Sequence, residues 1–186
     1  MRTLFLLLLP LAGQPAFADD ICHDLWFTRN LIFDRAGYCF GSDLGKAVFD
    51  NSDCSTGSPQ LETADATRVA RVKEMESFLE CSVDTKSTWL DLADIEQRAR
   101  FLTLPVRGDG ESGCMGWRGG VLQLHQGKRF DTPVTGRIVP GDHIGFSYMP
   151  EGNWEFVIVR RPSTGEAFMG WSQVPYSEDG CDQWAG

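Results

Sequence analysis

Six cysteines, Cys22, Cys39, Cys54, Cys81, Cys114 and Cys181, constrain this 186-residue chain more than any other feature. An even count behind an export signal reads as three disulfides, which about 15 connectivities would satisfy. Geometry removes some of them. If residues 24–36 are helical, Cys22 and Cys39 sit at opposite ends of a rod roughly 20 Å long. A disulfide tolerates at most about 6.8 Å between Cα atoms, so that pair is excluded. The pairing expected is Cys39–Cys54, Cys22–Cys81 and Cys114–Cys181. Closing a loop as long as 39–54 contributes about 3 kcal/mol in the chain-entropy model. No CxxC occurs and the three histidines are scattered, which argues against zinc. Neither a metal nor a cofactor is expected.

The export signal is read from residues 1–18. Arg2 is a short basic region, Leu4 to Ala12 is an apolar run broken only by Pro10, and Ala16-Phe17-Ala18 is a small-x-small cleavage site. The run is far short of the roughly 20 residues of a membrane span. Cys22 follows Asp20-Ile21, not the small residues of a lipoprotein site, so no lipid anchor is expected. The mature chain would begin at Asp19 and be periplasmic or secreted. Losing Arg2 takes the formal charge from −9 to −10, which argues against nucleic acid and anionic membranes as partners.

Helical signals fill the first half. Asp24 is placed to cap a helix carrying Leu25, Phe27, Leu31 and Ile32, and Gly37 is its stop, a position that favours a left-handed residue. Tyr38 and Phe40, extended beyond the stop, point to one side and fold back on the helix. Ser42 caps a short helix with Leu44, Val48 and Phe49. Ser58-Pro59 is a start signal for the longest helix, with Val69, Val72, Met75 and Leu79 at helical spacing. Residues 87–102 are expected as a further helix, with Trp89, Leu92, Ile95, Ala99 and Leu102 on one side. Residues 105–113, rich in glycine, proline and charge, read as a linker. Their Arg107-Gly108-Asp109 tripeptide is too short to carry weight.

The second half changes period. Short runs at 121–124, 137–139, 143–146, 155–159 and 168–171 are separated by Gly, Pro, Asp and Asn at the spacing of a small barrel. The class expected is α+β: an N-terminal helical module over 19–104 and a β-barrel over 114–186, disulfide-bonded.

Residues 25–40, from Leu25-Trp26-Phe27-Thr28-Arg29-Asn30 to Arg35-Ala36-Gly37-Tyr38-Cys39-Phe40, resemble the YARHG domain, a bacterial extracellular domain. The resemblance covers roughly 22–80. Phe33, Asp34 and Ala36 depart from the motif, Ala36 replacing its histidine. Pro133-Val134-Thr135-Gly136-Arg137-Ile138-Val139-Pro140-Gly141-Asp142, with Asn153-Trp154 and Gly170-Trp171-Ser172, resembles a bacterial SH3 domain, although Leu122 to Gly127 departs from its usual opening. These resemblances imply a place at the cell wall and a small SH3-like barrel.

No nucleophile arrangement stands out. His125 and His143, with acids such as Asp131 or Asp142, are the only candidates for an acid/base set, and no carboxylate spacing marks a glycosidase pair. The candidate ligand contacts are Arg35 and Tyr38 at the helix stop, and Tyr148 and Trp154 in the barrel. For the first two, capping and core packing is the plainer explanation. Trp171 is expected in the core, and Trp184 over the barrel edge. The function expected is non-catalytic binding in the envelope, with peptidoglycan or its peptide stems as ligand. The alternatives are an inhibitor or assembly factor that binds an envelope protein, and a hydrolase using His143 or His125.

Overall fold

The computed structural model describes residues 18–175 and 177–186. Its elements run α1 (Ala18–Arg35), α2 (Asp43–Val48), α3 (Thr63–Phe78), α4 (Ile95–Arg98), β1 (Arg107–Trp117), β2 (Leu122–His125), β3 (Val134–Ile138), β4 (His143–Tyr148), β5 (Glu155–Arg160), β6 (Ala167–Ser172), a single 3-10 turn (Glu178–Gly180) and β7 (Cys181–Ala185). The signal segment expected at residues 1–18 lies, up to residue 17, outside the described residues. Among the described residues no helix is long and apolar enough to cross a membrane.

The corner after α1 forms as its residues dictate. Gly37 takes a φ of 80°, its N–H donates to Asp34 at 2.8 Å, and that of Tyr38 donates to Phe33 at 3.0 Å. These two bonds are a Schellman cap, which satisfies carbonyls a helix end leaves open. The Tyr38 ring folds back to 5.9 Å from Phe33 and meets Phe40 edge-on at 4.9 Å, and Phe40 stacks on Phe49 at 4.8 Å. Ser42 accepts from Gly45 N–H and caps α2.

Several boundaries differ from expectation. Asp24 is not a cap: α1 is already helical at Ala18, and Asp24 is buried inside it. The helix expected from Ser58-Pro59 starts at Thr63 instead, without a side-chain cap. Only one turn, α4, forms within 87–102, and Trp89 and Leu102 are exposed rather than aligned on a buried face. The stretch expected as a linker holds the first half of β1. There the register advances five residues, Arg107 to Ser112, against two on β4, Tyr148 to Phe146. Gly108, Asp109, Gly110 and Glu111 therefore belong to a wide bulge, which is why their composition reads as a loop.

The strands make one antiparallel sheet in the order β3-β2-β6-β5-β4-β1-β7. It is an open sheet with β3 and β7 as edges, and no ladder among the described residues closes it into the expected barrel. It is nonetheless strongly curled. Leu124 and Ile138 from one wing share a core cluster with Cys114, Ile144, Trp117 and Cys181 from the other. The opposite face of β5 and β6, with Phe156, Met169 and Trp171, joins Trp26, Phe27, Leu31, Phe40, Phe49 and Val69 of the helical part in a second cluster. Helices and sheet are therefore packed as one body around Phe101, Leu104 and Tyr148.

All three expected disulfides are present: Cys22–Cys81, Cys39–Cys54 and Cys114–Cys181, with Cα separations of 5.4, 5.0 and 5.4 Å. The last links β1 to its edge partner β7, pinning an outer strand that has a neighbour on one side only.

Candidate functional site

The four expected contacts do not converge on one surface. Arg35 reaches from the end of α1 to donate to the carbonyls of Ala99 and Phe101, at 3.0 and 2.9 Å. Burial pushes its pKa down, against the pull of Asp65 and Asp34. It clamps the segment after α4 to the helix. Tyr38 sits between Phe33 and Phe40. Its residue forms a bridge to Thr56 that closes the loop around Cys54. Both residues thus do at the helix stop the structural work a capped corner needs.

Tyr148 is deeper than expected. It is buried, and its hydroxyl donates to Asp24 Oδ2 at 2.7 Å. Arg98 Nη1 lies 2.8 Å from the same oxygen, and Arg98 also binds Asp94. Burial works against the Arg98 charge, but Asp24 and Asp94 raise its pKa above the ordinary arginine range. Burial, and then Asp24, push the Tyr148 phenol upward too. The guanidinium carbons of Arg98 and Arg107 stand 5.8 and 5.3 Å from the Tyr148 ring centre, close enough for cation–π attraction. A helix, a single-turn helix and a strand meet at these side chains, and a cavity opens above them.

Trp154 belongs to a different cluster. Its hairpin, Glu151 to Trp154, closes through mutual backbone hydrogen bonds. Its ring lies 4.9 Å from that of Phe130 in the β2–β3 loop, and His125 meets both rings edge-on at 6.0 and 5.8 Å. Phe130 is 69% exposed, while Trp154 is half-buried against the core, so the aromatic surface open to solvent is mainly that of Phe130. Beside it, Glu151 holds Lys128 and Arg68 together. Although burial opposes its charge, those two cations keep the Glu151 carboxyl below the usual range. Thr63, Ala64 and Thr67 of α3 complete a groove of about 440 Å³ along this network. Phe130 has no periodic signal to betray it. Its one mark in the sequence is an aromatic side chain set among Lys128, Arg129 and Asp131.

The two candidate histidines have separate partners. His125 Nδ1 donates to the Thr132 carbonyl at 3.1 Å, since a carbonyl only accepts. His143 Nδ1 accepts from Gly116 N–H at 3.0 Å. In the sheet, strands β6 and β5 lie between β2, which carries His125, and β4, which carries His143. The acids are engaged elsewhere. Buried Asp142 binds Arg161 through both carboxylate oxygens and caps its own Val139-Pro140-Gly141 turn, and Asp131 pairs with Arg129.

Comparison with known proteins matches these parts to two families. No curated protein and no solved structure matches the chain. Residues 4–77 match the YARHG domain, in place of the 22–80 read from the sequence. Together with three disulfides this points to an extracytoplasmic protein. The second half, expected as an SH3-like domain, matches the Domain of unknown function (DUF4453) over residues 80–186. That match takes in more than half the chain: the protein belongs to the DUF4453 family and carries a YARHG domain ahead of it.

Proposed function

We propose that the protein is a non-catalytic binder of the cell envelope, periplasmic or secreted, with peptidoglycan or its peptide stems as ligand. The observation that carries this reading is the aromatic pair of exposed Phe130 and half-buried Trp154. It lies next to a groove to which the YARHG part contributes Arg68 and the DUF4453 part Lys128 and Glu151. Sugar rings offer C–H faces that lie flat on aromatic side chains, and rigid rings bind at low entropic cost. A polymer following the groove would cross both parts of the protein. The YARHG domain itself supports a wall-related role.

The reading includes no catalysis: Asp131 and Asp142 pair with Arg129 and Arg161, and the Nδ1 atoms of His125 and His143 are engaged with the Thr132 carbonyl and the Gly116 N–H. Of the expected contacts it keeps Trp154, adds Phe130, and assigns Arg35 and Tyr38 to the fold. We also keep the SH3-like description as a proposal for the curled form of the sheet, supported by the core its two wings share.

Co-sedimentation of the mature protein with purified sacculi tests the function. Binding should fall about tenfold in Trp154→Ala and in Phe130→Ala, the scale of one lost aromatic contact at a hot spot. Sedimentation that neither change weakens would remove the aromatic pair from the site. No sedimentation, with a tight stoichiometric complex recovered on an envelope enzyme, would favour the inhibitor or assembly-factor alternative.

A further inference from the structure

Helix α3 carries a stripe of side chains that its own fold leaves unused. Arg71, Glu74 and Phe78 stand at i, i+3 and i+7, on one face of the helix. Phe78 is 67% exposed and joins none of the three core clusters. A lone exposed ring means little, but this one borders a hollow of about 380 Å³ at the end of its own helix. Met75 and Met149 give the hollow its apolar lining, and Arg71, Glu74 and Asp109 its charges. Met75 is buried and Met149 packs against the same cluster. Methionine side chains adapt to the shape of a ring that meets them. Among the described residues none of the three charged groups makes an ion pair, although Arg71 and Glu74 lie one turn apart on the helix. One exposed ring, one apolar hollow and unpaired charges of both signs therefore share a single patch.

We propose that this patch joins two copies of the chain, α3 against α3 and antiparallel across a two-fold axis. The axis passes between Glu74 and Met75, and the Phe78 ring of each copy fills the hollow of the other. A two-fold contact sets a surface against itself, so the patch has to complement itself, and this one does. In the antiparallel arrangement Arg71 of one copy comes level with Phe78 of the other and within about one turn of its Glu74. The guanidinium then meets both an aromatic face and a carboxylate. The mixed charges are what favour a second copy as the occupant. An acidic partner would meet Glu74 and Asp109, a basic one would meet Arg71, and a neutral glycan would leave all three unpaired. A contact made by one helix face belongs to the small, transient class of interfaces, so the dimer forms as concentration rises. The wall-binding reading is not needed for this association.

Sedimentation equilibrium of the disulfide-bonded mature protein, from about 1 μM to about 1 mM, tests the proposal across the range of weak affinities. A reversible monomer–dimer equilibrium is expected. Phe78→Ala, at an exposed position, should weaken it at least about tenfold, the scale of a central aromatic contact. Arg71→Glu and Glu74→Arg should each weaken the dimer, and the two changes together should restore it, because the swapped charges face each other again across the axis. Circular dichroism spectra should be the same for all four variants and the native protein, since no buried side chain is altered. A monomer throughout the range, or a dimer indifferent to Phe78→Ala, would overturn the proposal. So would a double swap no stronger than either single change, which would remove the Arg71–Glu74 pairing. A monomer that loses its hold on sacculi in Phe78→Ala would also overturn it and give the patch to the wall ligand. The two readings fail separately. A monomer that sediments with sacculi would leave the envelope function standing, and a dimer that does not would leave the association standing alone.

Discussion

Oδ2 of Asp24 accepts from the Tyr148 hydroxyl at 2.7 Å and lies 2.8 Å from an Arg98 nitrogen, so removing the hydroxyl and removing the acid test different things. Tyr148→Phe leaves Asp24 paired with Arg98 and loses one hydrogen bond to a charged group, about 1.5–3 kcal/mol. Asp24→Ala strands a buried guanidinium with Asp94 alone and should cost more, about 3–5 kcal/mol. Urea denaturation at neutral pH measures both. The phenol also carries a pH signature. Burial and Asp24 raise its pKa in the fold, so the folded state keeps a proton that the unfolded state gives up. That stabilisation is whole below about pH 10, the unfolded value, and drains away as the pH rises towards the higher folded value, by up to about 1.4 kcal/mol per pH unit. The denaturation midpoint should fall more steeply above about pH 10 in the native protein than in Tyr148→Phe. An identical slope in the two proteins would place the ionisation elsewhere.

The ends of α1 and α3 close with the same pair of backbone bonds but different residues. At α3, Cys81 N–H donates to Glu76 and Glu80 N–H to Ser77, the pattern Tyr38 and Gly37 make at α1. The left-handed position is Glu80, with a φ of 53°, the only non-glycine residue of positive φ among those described. A Cβ there costs about 1–2 kcal/mol, so Glu80→Gly should gain about 0.5–1 kcal/mol after the added chain entropy of glycine. A higher urea midpoint with an unchanged slope would show it. The contrast between these ends shows what the sequence made legible. Gly37 announces its corner because only glycine takes that conformation freely, whereas Glu80 looks like any solvated acid. Ser58-Pro59 is a start signal by local chemistry, but α3 begins at Thr63, five residues beyond Ser58, and nothing in the structure explains the delay. Asp24 looks like a cap because its partners, Arg98 and Tyr148, are 74 and 124 residues away. Strands β2, β4, β5 and β6 were readable from their short runs and the turn residues between them, whereas β3, expected at 137–139, begins at Val134. Strand β1 was not, because its bulge carries loop residues, and β7 was not, because an edge strand needs no apolar alternation. The candidate site was readable only at Trp154; Phe130, in the β2–β3 loop, becomes its neighbour only once the chain is folded.

One core runs from Trp26 of α1 to Trp171 of β6, and the consequence is cooperativity. Far-UV circular dichroism and tryptophan fluorescence should report a single coincident unfolding transition, although two families divide the chain. Two separate transitions would mean that the helices and the sheet hold together independently. The boundary between the families falls between residues 77 and 80, and the Cys22–Cys81 disulfide crosses it. A peptide bond cut anywhere between those two cysteines therefore releases no fragment. Protein nicked by a protease in that span should run as an intact chain on a denaturing gel and divide in two only after reduction. Its YARHG helices would stay tethered to the sheet even after their own backbone had been severed.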